Sequence, residues 1–200
     1  YWYVSAMCGV SLIVYVMMSE TRITSLLFRP ASELLVQYAR YHRDRRNIAM
    51  HAIGIPLVLF SMGVLSARVG VAGMSLAWLL WAVTSLWYLT RGAPVLGAAV
   101  CALNAALMAL AHPPAMASVG GWLAWGMGTL VAGWLFQFLG HYYEGRKPGL
   151  RDDIADLMVG PMYAVAQWLF SLGWRRELHA EIERRAGPTH LRDLAAPIAH

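Results

Sequence analysis

Between Ala52 and Leu139 the chain carries two formal charges, Arg68 and Arg91, and none of its eleven Asp and Glu residues. A water-soluble fold does not leave 88 consecutive residues so bare of acid and base, because their outward faces would then meet water with almost no charge. The stretch therefore constrains the chain to a membrane protein. Composition agrees: 58% of the 200 residues are apolar and 14% are charged, against about 25% charged in an ordinary soluble domain.

Four runs in this region, the first starting just ahead of it at Ile48, each approach the roughly 20 residues needed to cross a bilayer core. They are "IAMHAIGIPLVLFSMGVLSA", "VAGMSLAWLLWAVTSLWYL" ending at Arg91, "APVLGAAVCALNAALMALA" ending at the His-Pro-Pro turn, and a run from Ser118 to Leu139. Short turns between them make neighbours antiparallel. The expected fold is all-α: a polytopic membrane protein with a four-helix transmembrane core. Asn47 reads as the N-cap of the first span, and Pro56 as a kink near its start. The glycine-rich "GGWLAWGMGTLVAGW" allows close helix approach.

Ahead of this core, "ASELLVQYARYHRDRRN" places Leu34, Leu35, Tyr38 and Tyr41 at a helical period between charges, which predicts an amphipathic N-terminal interfacial helix. Behind it, "LMVGPMYAVAQWLFSLGW" is a fifth apolar run, interrupted by Gly160, Pro161 and Gln167, that could span, re-enter or lie along the surface. Residues 1–18 read as an apolar N-terminal extension, either an extra helix or upstream sequence. Residues 19–174 form the bundle, and 175–200 a basic tail whose charge alternation suits a solvated helix.

The net charge of +5 lies in juxtamembrane clusters, Arg40, Arg43, Arg45 and Arg46 before the first span and Arg146, Lys147 and Arg151 after the fourth. Orientation in the bilayer explains them better than nucleic acid does. Four spans return both clusters to one face, which the positive-inside rule makes cytoplasmic. Cys8 and Cys101 both lie in apolar runs and form neither a disulfide framework nor a zinc pattern.

Two constellations then share that face. One is Tyr38, His42, Asn47, His51, Gly54 and Pro56; the other is Gln137, Gly140, His141, Glu144, Arg146 and Pro148. Imidazole suits iron, zinc and copper, and a carboxylate beside histidines suits non-haem iron(II) with open positions. His141 and Glu144, three apart, share a helix face. His42 and His51 do not: nine residues at about 100° place them on opposite sides of one straight helix. A shared metal requires a chain break near residues 44–47. Against this stands a simpler account, in which each histidine satisfies a local hydrogen bond or a headgroup and the arginines only set topology. A transporter is disfavoured, since no ionisable residue lies near the centre of a span.

The stretches "YARYHRDRRNIAMHAIGIP" and "QFLGHYYEGRKPGL", followed by "GPMYAVAQWLF", resemble the Mpo-like family of 2-hydroxy fatty acid dioxygenases over roughly Glu33 to Gly173. The resemblance implies an iron(II)-dependent α-oxidation that uses molecular oxygen to shorten a 2-hydroxy fatty acid by one carbon, in an enzyme embedded in the lipid bilayer. It implies His42, His51 and His141 as metal ligands, with Glu144 a weaker fourth ligand or base. Asn47 is expected beside the chemistry, and Arg146, Tyr38 and Gln137 toward the substrate or the ligating imidazoles. The alternative is a non-catalytic bundle that binds lipid or a protein partner; the oligomeric state stays open.

Overall fold

A computed structural model of the chain describes residues 29–145 and 153–195. The extension 1–18 and the stretch containing Arg146, Lys147 and Arg151 lie outside the described residues. Within them the fold is all-helical apart from one two-stranded ribbon: α1 (Ala31–Ala39), α2 (Arg45–Ser66), β1 (Gly70–Val71), β2 (Met74–Ser75), α3 (Leu76–Leu89), α4 (Pro94–Ala115), α5 (Val119–Glu144), α6 (Asp153–Ser171) and α7 (Arg176–Ala186).

Helices α2, α4 and α5 are long and apolar enough to cross a membrane. Their 22, 22 and 26 residues correspond to roughly 33 to 39 Å of rise. The second expected span is shorter than its apolar run. Ala72 (φ 51°) and Gly73 (φ 82°) are both left-handed, the pattern of a two-residue type I′ hairpin turn, so Gly70–Ser75 fold into the ribbon and α3 keeps 14 residues. That is about 21 Å, short of a bilayer core of about 30 Å. The chain still returns along α3, since Ala31 N–H donates to Arg91 C=O at 2.8 Å. Exposed Val83 (69%), Leu110 (64%) and Leu135 (63%) give the bundle the apolar exterior that a lipid environment accepts.

The tightest seam lies between α2 and α5. A Cβ added at Gly54 would stand 2.8 Å from Gly133 C=O, and one at Gly133 2.7 Å from Val58 Cγ2, so hydrogen is the only side chain the seam admits there. Gly126, Gly133 and Gly140 recur every seven residues along α5, and all three face α2. Pro56 lies in the interior of α2, which runs through it as one helix.

Helix α1 differs from the expected interfacial helix in two ways. It ends at Ala39, and its surroundings cover more than one stripe: Leu34, Leu35, Val36, Tyr38 and Ala39 are all buried in one core with Val159, Met162, Tyr163, Ala166 and Phe170 of α6 and Ile182 of α7. Helix α6 is continuous through Pro161 and packs beside α1, α2 and α4. The tail is less solvated than its charges suggest. Ile182 is buried, and beyond α7 the chain pairs with the α1–α2 connection through a parallel bridge between Asp44 and His190.

Candidate metal centre

The break that the His42–His51 spacing demands is present, at residues 40–44. Helix α1 closes with short i→i+3 bonds, Tyr41 N–H to Tyr38 C=O and His42 N–H to Ala39 C=O, both 3.1 Å. Helix α2 then opens at Asp44, whose extended backbone and side chain, accepting from Arg46 N–H at 2.8 Å, make it the N-cap. The cap is thus three residues earlier than expected, and Asn47 occupies the third helical position, fully buried. Asp44 can serve because Arg46 also donates to it from its guanidinium, at 3.0 and 2.8 Å. Burial alone would raise the Asp44 carboxyl, but hydrogen bonds from the Arg46 side chain and from the backbone N–H groups of Arg192 and Arg46 hold it at about 2.

His42 on the break, His51 on α2 and His141 in the last turn of α5 come together, with candidate ligand atoms all within 4.8 Å of one another. Ring centroids are 4.6 Å apart for His42–His51, 5.0 Å for His51–His141 and 5.4 Å for His42–His141. His42 Nδ1 lies 2.9 Å from Tyr38 C=O, and His51 Nδ1 lies 3.0 Å from Asn47 C=O. A carbonyl only accepts, so both Nδ1 atoms carry the proton and both Nε2 atoms keep a lone pair. His42 Nε2 is buried without a hydrogen-bond partner among the described residues. Burial, then the nearby His51, holds His42 well below the ordinary imidazole value, so it is neutral. Neutral, pre-oriented imidazoles around an orphaned nitrogen are the donor set that a divalent transition metal takes.

Glu144 does not join that set. It is buried at 8% exposure, and its carboxylate accepts from Arg43 N–H twice at 3.0 Å, from Asp44 N–H at 2.9 Å and from Asn47 Nδ2 at 2.9 Å. It closes the backbone of the break onto the end of α5. Asn47 bridges Glu144 through its side chain and His51 through its carbonyl, while its Oδ1 faces Gly140 without a hydrogen-bond partner among the described residues. A Cβ at Gly140 would stand 2.5 Å from that Oδ1 and 2.9 Å from His51 Nδ1. Glycine before His141 is what lets the two histidine-bearing helices meet.

Tyr38 stacks on His42 at 4.0 Å with a 3° interplanar angle, and it is the Tyr38 carbonyl that orients the imidazole. Gln137 is half-buried against Gly54, one turn before His141. Arg146 lies outside the described residues. Arg43 is more than a topology signal: it is 6% exposed, donating to His42 C=O at 3.1 Å, Gly187 C=O at 2.6 Å and Tyr163 Oη at 2.9 Å. Sequence reasoning missed Asp44, Tyr163 and Arg192; only Asp44 carried a signal, as a capping residue before an apolar run.

Residues 28–172 match the family described as 2-hydroxy-palmitic acid dioxygenase Mpo1-like. The chain is also 30% identical over 152 residues to the 2-hydroxy-palmitic acid dioxygenase MPO1 of Saccharomyces cerevisiae, covering 73% of this chain and 83% of the yeast protein. No solved structure is a significant match. With the matched segment enclosing all three clustered histidines and Glu144, the chain belongs to the Mpo1-like family.

Proposed function

We propose that this chain is a membrane-bound iron(II) dioxygenase that removes one carbon from 2-hydroxy fatty acids by α-oxidation. The observation that carries the proposal is the convergence of His42, His51 and His141 at one end of an apolar bundle, with the buried His42 Nε2 lacking a hydrogen-bond partner among the described residues. Imidazole alone suits zinc and copper as well as iron. The choice of iron follows from the oxygen chemistry in the name of the yeast relative. Iron(II) held there supplies the chemistry with molecular oxygen that amino-acid side chains lack.

The chain's own groups do the rest. Tyr38 and Asn47 carbonyls fix two imidazole tautomers, and the Tyr38 ring keeps water from one face of His42. Glu144 acts as a positioning residue through the break, with Asn47 as the relay between its carboxylate and His51. Arg146 and Gln137 receive the substrate carboxylate and hydroxyl. The alkyl chain lies along the apolar exterior, and the polar head meets the centre at the bundle end, on the cytoplasmic face by the positive-inside rule.

The test is purification in detergent, metal analysis, and oxygen uptake with 2-hydroxypalmitate against palmitate. About one iron per chain and uptake specific to the hydroxy acid are expected, each lost by at least about 100-fold in His42→Ala, His51→Ala and His141→Ala. Full oxygen uptake in all three variants would sink the proposal, and a parent chain with neither iron nor uptake would leave a lipid-binding bundle.

A further inference from the structure

Of the three histidines, His42 is the one without a helix beneath it, so its place depends on what ties residues 40–44 down. Glu144 takes the N–H groups of Arg43 and Asp44. Tyr163 of α6 donates to His42 C=O at 3.3 Å and accepts from Arg43 at 2.9 Å. Further ties run to the segment 187–195, beyond the family-matched region, which ends at 172. Arg43 C=O accepts from His190 N–H, and Arg45 N–H donates to His190 C=O, both at 3.0 Å. Arg43 donates to Gly187 C=O, Arg192 N–H donates to Asp44 Oδ2 at 2.7 Å, and Arg46 donates to Arg192 C=O at 2.7 Å. Five bonds thus fix residues 43–46, the stretch that follows His42, to one strand of tail.

The same strand reaches across to α5. Arg192 donates from Nε to Tyr143 C=O at 3.1 Å and from its terminal nitrogen to Tyr142 C=O at 3.3 Å. Those carbonyls close the helix turn that presents His141, and as helix-end acceptors they have room for an outside donor. Gly145 makes the approach possible. Its φ of +71° is left-handed, and a Cβ there would stand 2.6 Å from Arg192 Nε. One residue therefore joins the loop of His42, through its backbone, to the helix end of His141, through its side chain.

We propose that residues 187–195 are a strap that sets the spacing of the three histidines, with Arg192 as its positioning residue. This rests on the metal reading given above. The strap supplies none of the three clustered histidines; it fixes the relative place of two of them, and outer contacts of that kind typically govern metal affinity by 10- to 100-fold.

The test uses the full chain in detergent, stripped of metal and titrated with cobalt(II), whose visible spectrum reports ligand geometry independently of turnover. Arg192→Ala is expected to weaken cobalt(II) binding by about tenfold or more and to alter the spectrum. Arg192→Lys, which keeps the charge but not the fork across two carbonyls, should fall between Arg192→Ala and the parent. Arg185→Ala, which breaks an exposed pair with Glu33 outside the strap, should match the parent chain. Parental affinity and spectrum in either Arg192 variant overturn the proposal, as does a loss of thermal stability with an unchanged spectrum. A parent chain that binds no more cobalt(II) than His42→Ala removes the metal reading itself and the strap's role with it. A parent that binds while Arg192→Ala binds equally removes the strap alone.

Discussion

Both ends of the bundle use an arginine on the carbonyls that finish a long helix, and they use it differently. At the far end Arg68 donates to Ala115 C=O at 2.6 Å and to Ala117 C=O, with its guanidinium 4.6 Å over the Trp122 ring. It holds the end of α2 to the closing turn of α4 and to the start of α5, away from the histidines. At the near end Arg192 does the same for Tyr142 and Tyr143, but its own N–H is committed to Asp44, the residue that begins α2. Arg68 joins helix ends that bear none of the three clustered histidines; Arg192 joins the break that carries His42 to the helix end that carries His141. Ligand geometry needs the second kind, because two groups that must share an ion have to be placed relative to each other.

The contrast can be broken at several points. Glu144→Ala carries the largest expected effect, since it strands the buried N–H groups of Arg43 and Asp44 and the amide of Asn47. About 3 kcal/mol or more of stability should be lost, together with metal retention, as read by thermal unfolding and metal analysis in detergent. Gly140→Ala comes next. Its methyl needs the space of Asn47 Oδ1 and His51 Nδ1, so metal content should fall at a cost of about 1–3 kcal/mol, even though alanine favours helix by about 1 kcal/mol. Unchanged metal content in that variant would mean that the α2–α5 seam is looser at this level than the glycine contacts require. Arg68→Ala is expected to do least: about 1 kcal/mol in unfolding and no change in metal binding. A loss of metal on removing Arg68 would erase the distinction between the two ends.

Much of the near end was legible because it follows from arithmetic. Nine residues cannot place two side chains on one helix face, so His42 and His51 forced a break, and charge clusters on both sides of four apolar runs forced His141 onto the same end. The length of α3 was not legible, because Ala72–Gly73 lacks the Asn-Gly or Asp-Gly signature that announces a type I′ turn. Asn47 and Asp44 are equally good caps by composition, and they are separated by tertiary partners, the Arg46 guanidinium and Arg192 N–H on Asp44 and Glu144 on Asn47. Glu144 read as a weaker ligand or base because side-chain chemistry is visible in a sequence, whereas the backbone N–H groups it accepts from are not. The strap failed to show for the same reason: its bonds are largely main-chain, and its charges look like those of a solvated helix.

Arg43 and Glu144 are 101 positions apart, and nearly the whole membrane-spanning portion is made between them. During synthesis the first half of the histidine cluster therefore emerges well before its counterpart, and Arg192 later still. Helices α2 and α4 can enter the bilayer with His42 and His51 unpaired, and the centre forms only once α5 has docked along its glycine stripe. Closing so long a loop is slow in folding terms. An ion captured at that stage would act as a late cross-link between the first and last membrane-crossing helices, and its arrival would record that the bundle had been completed.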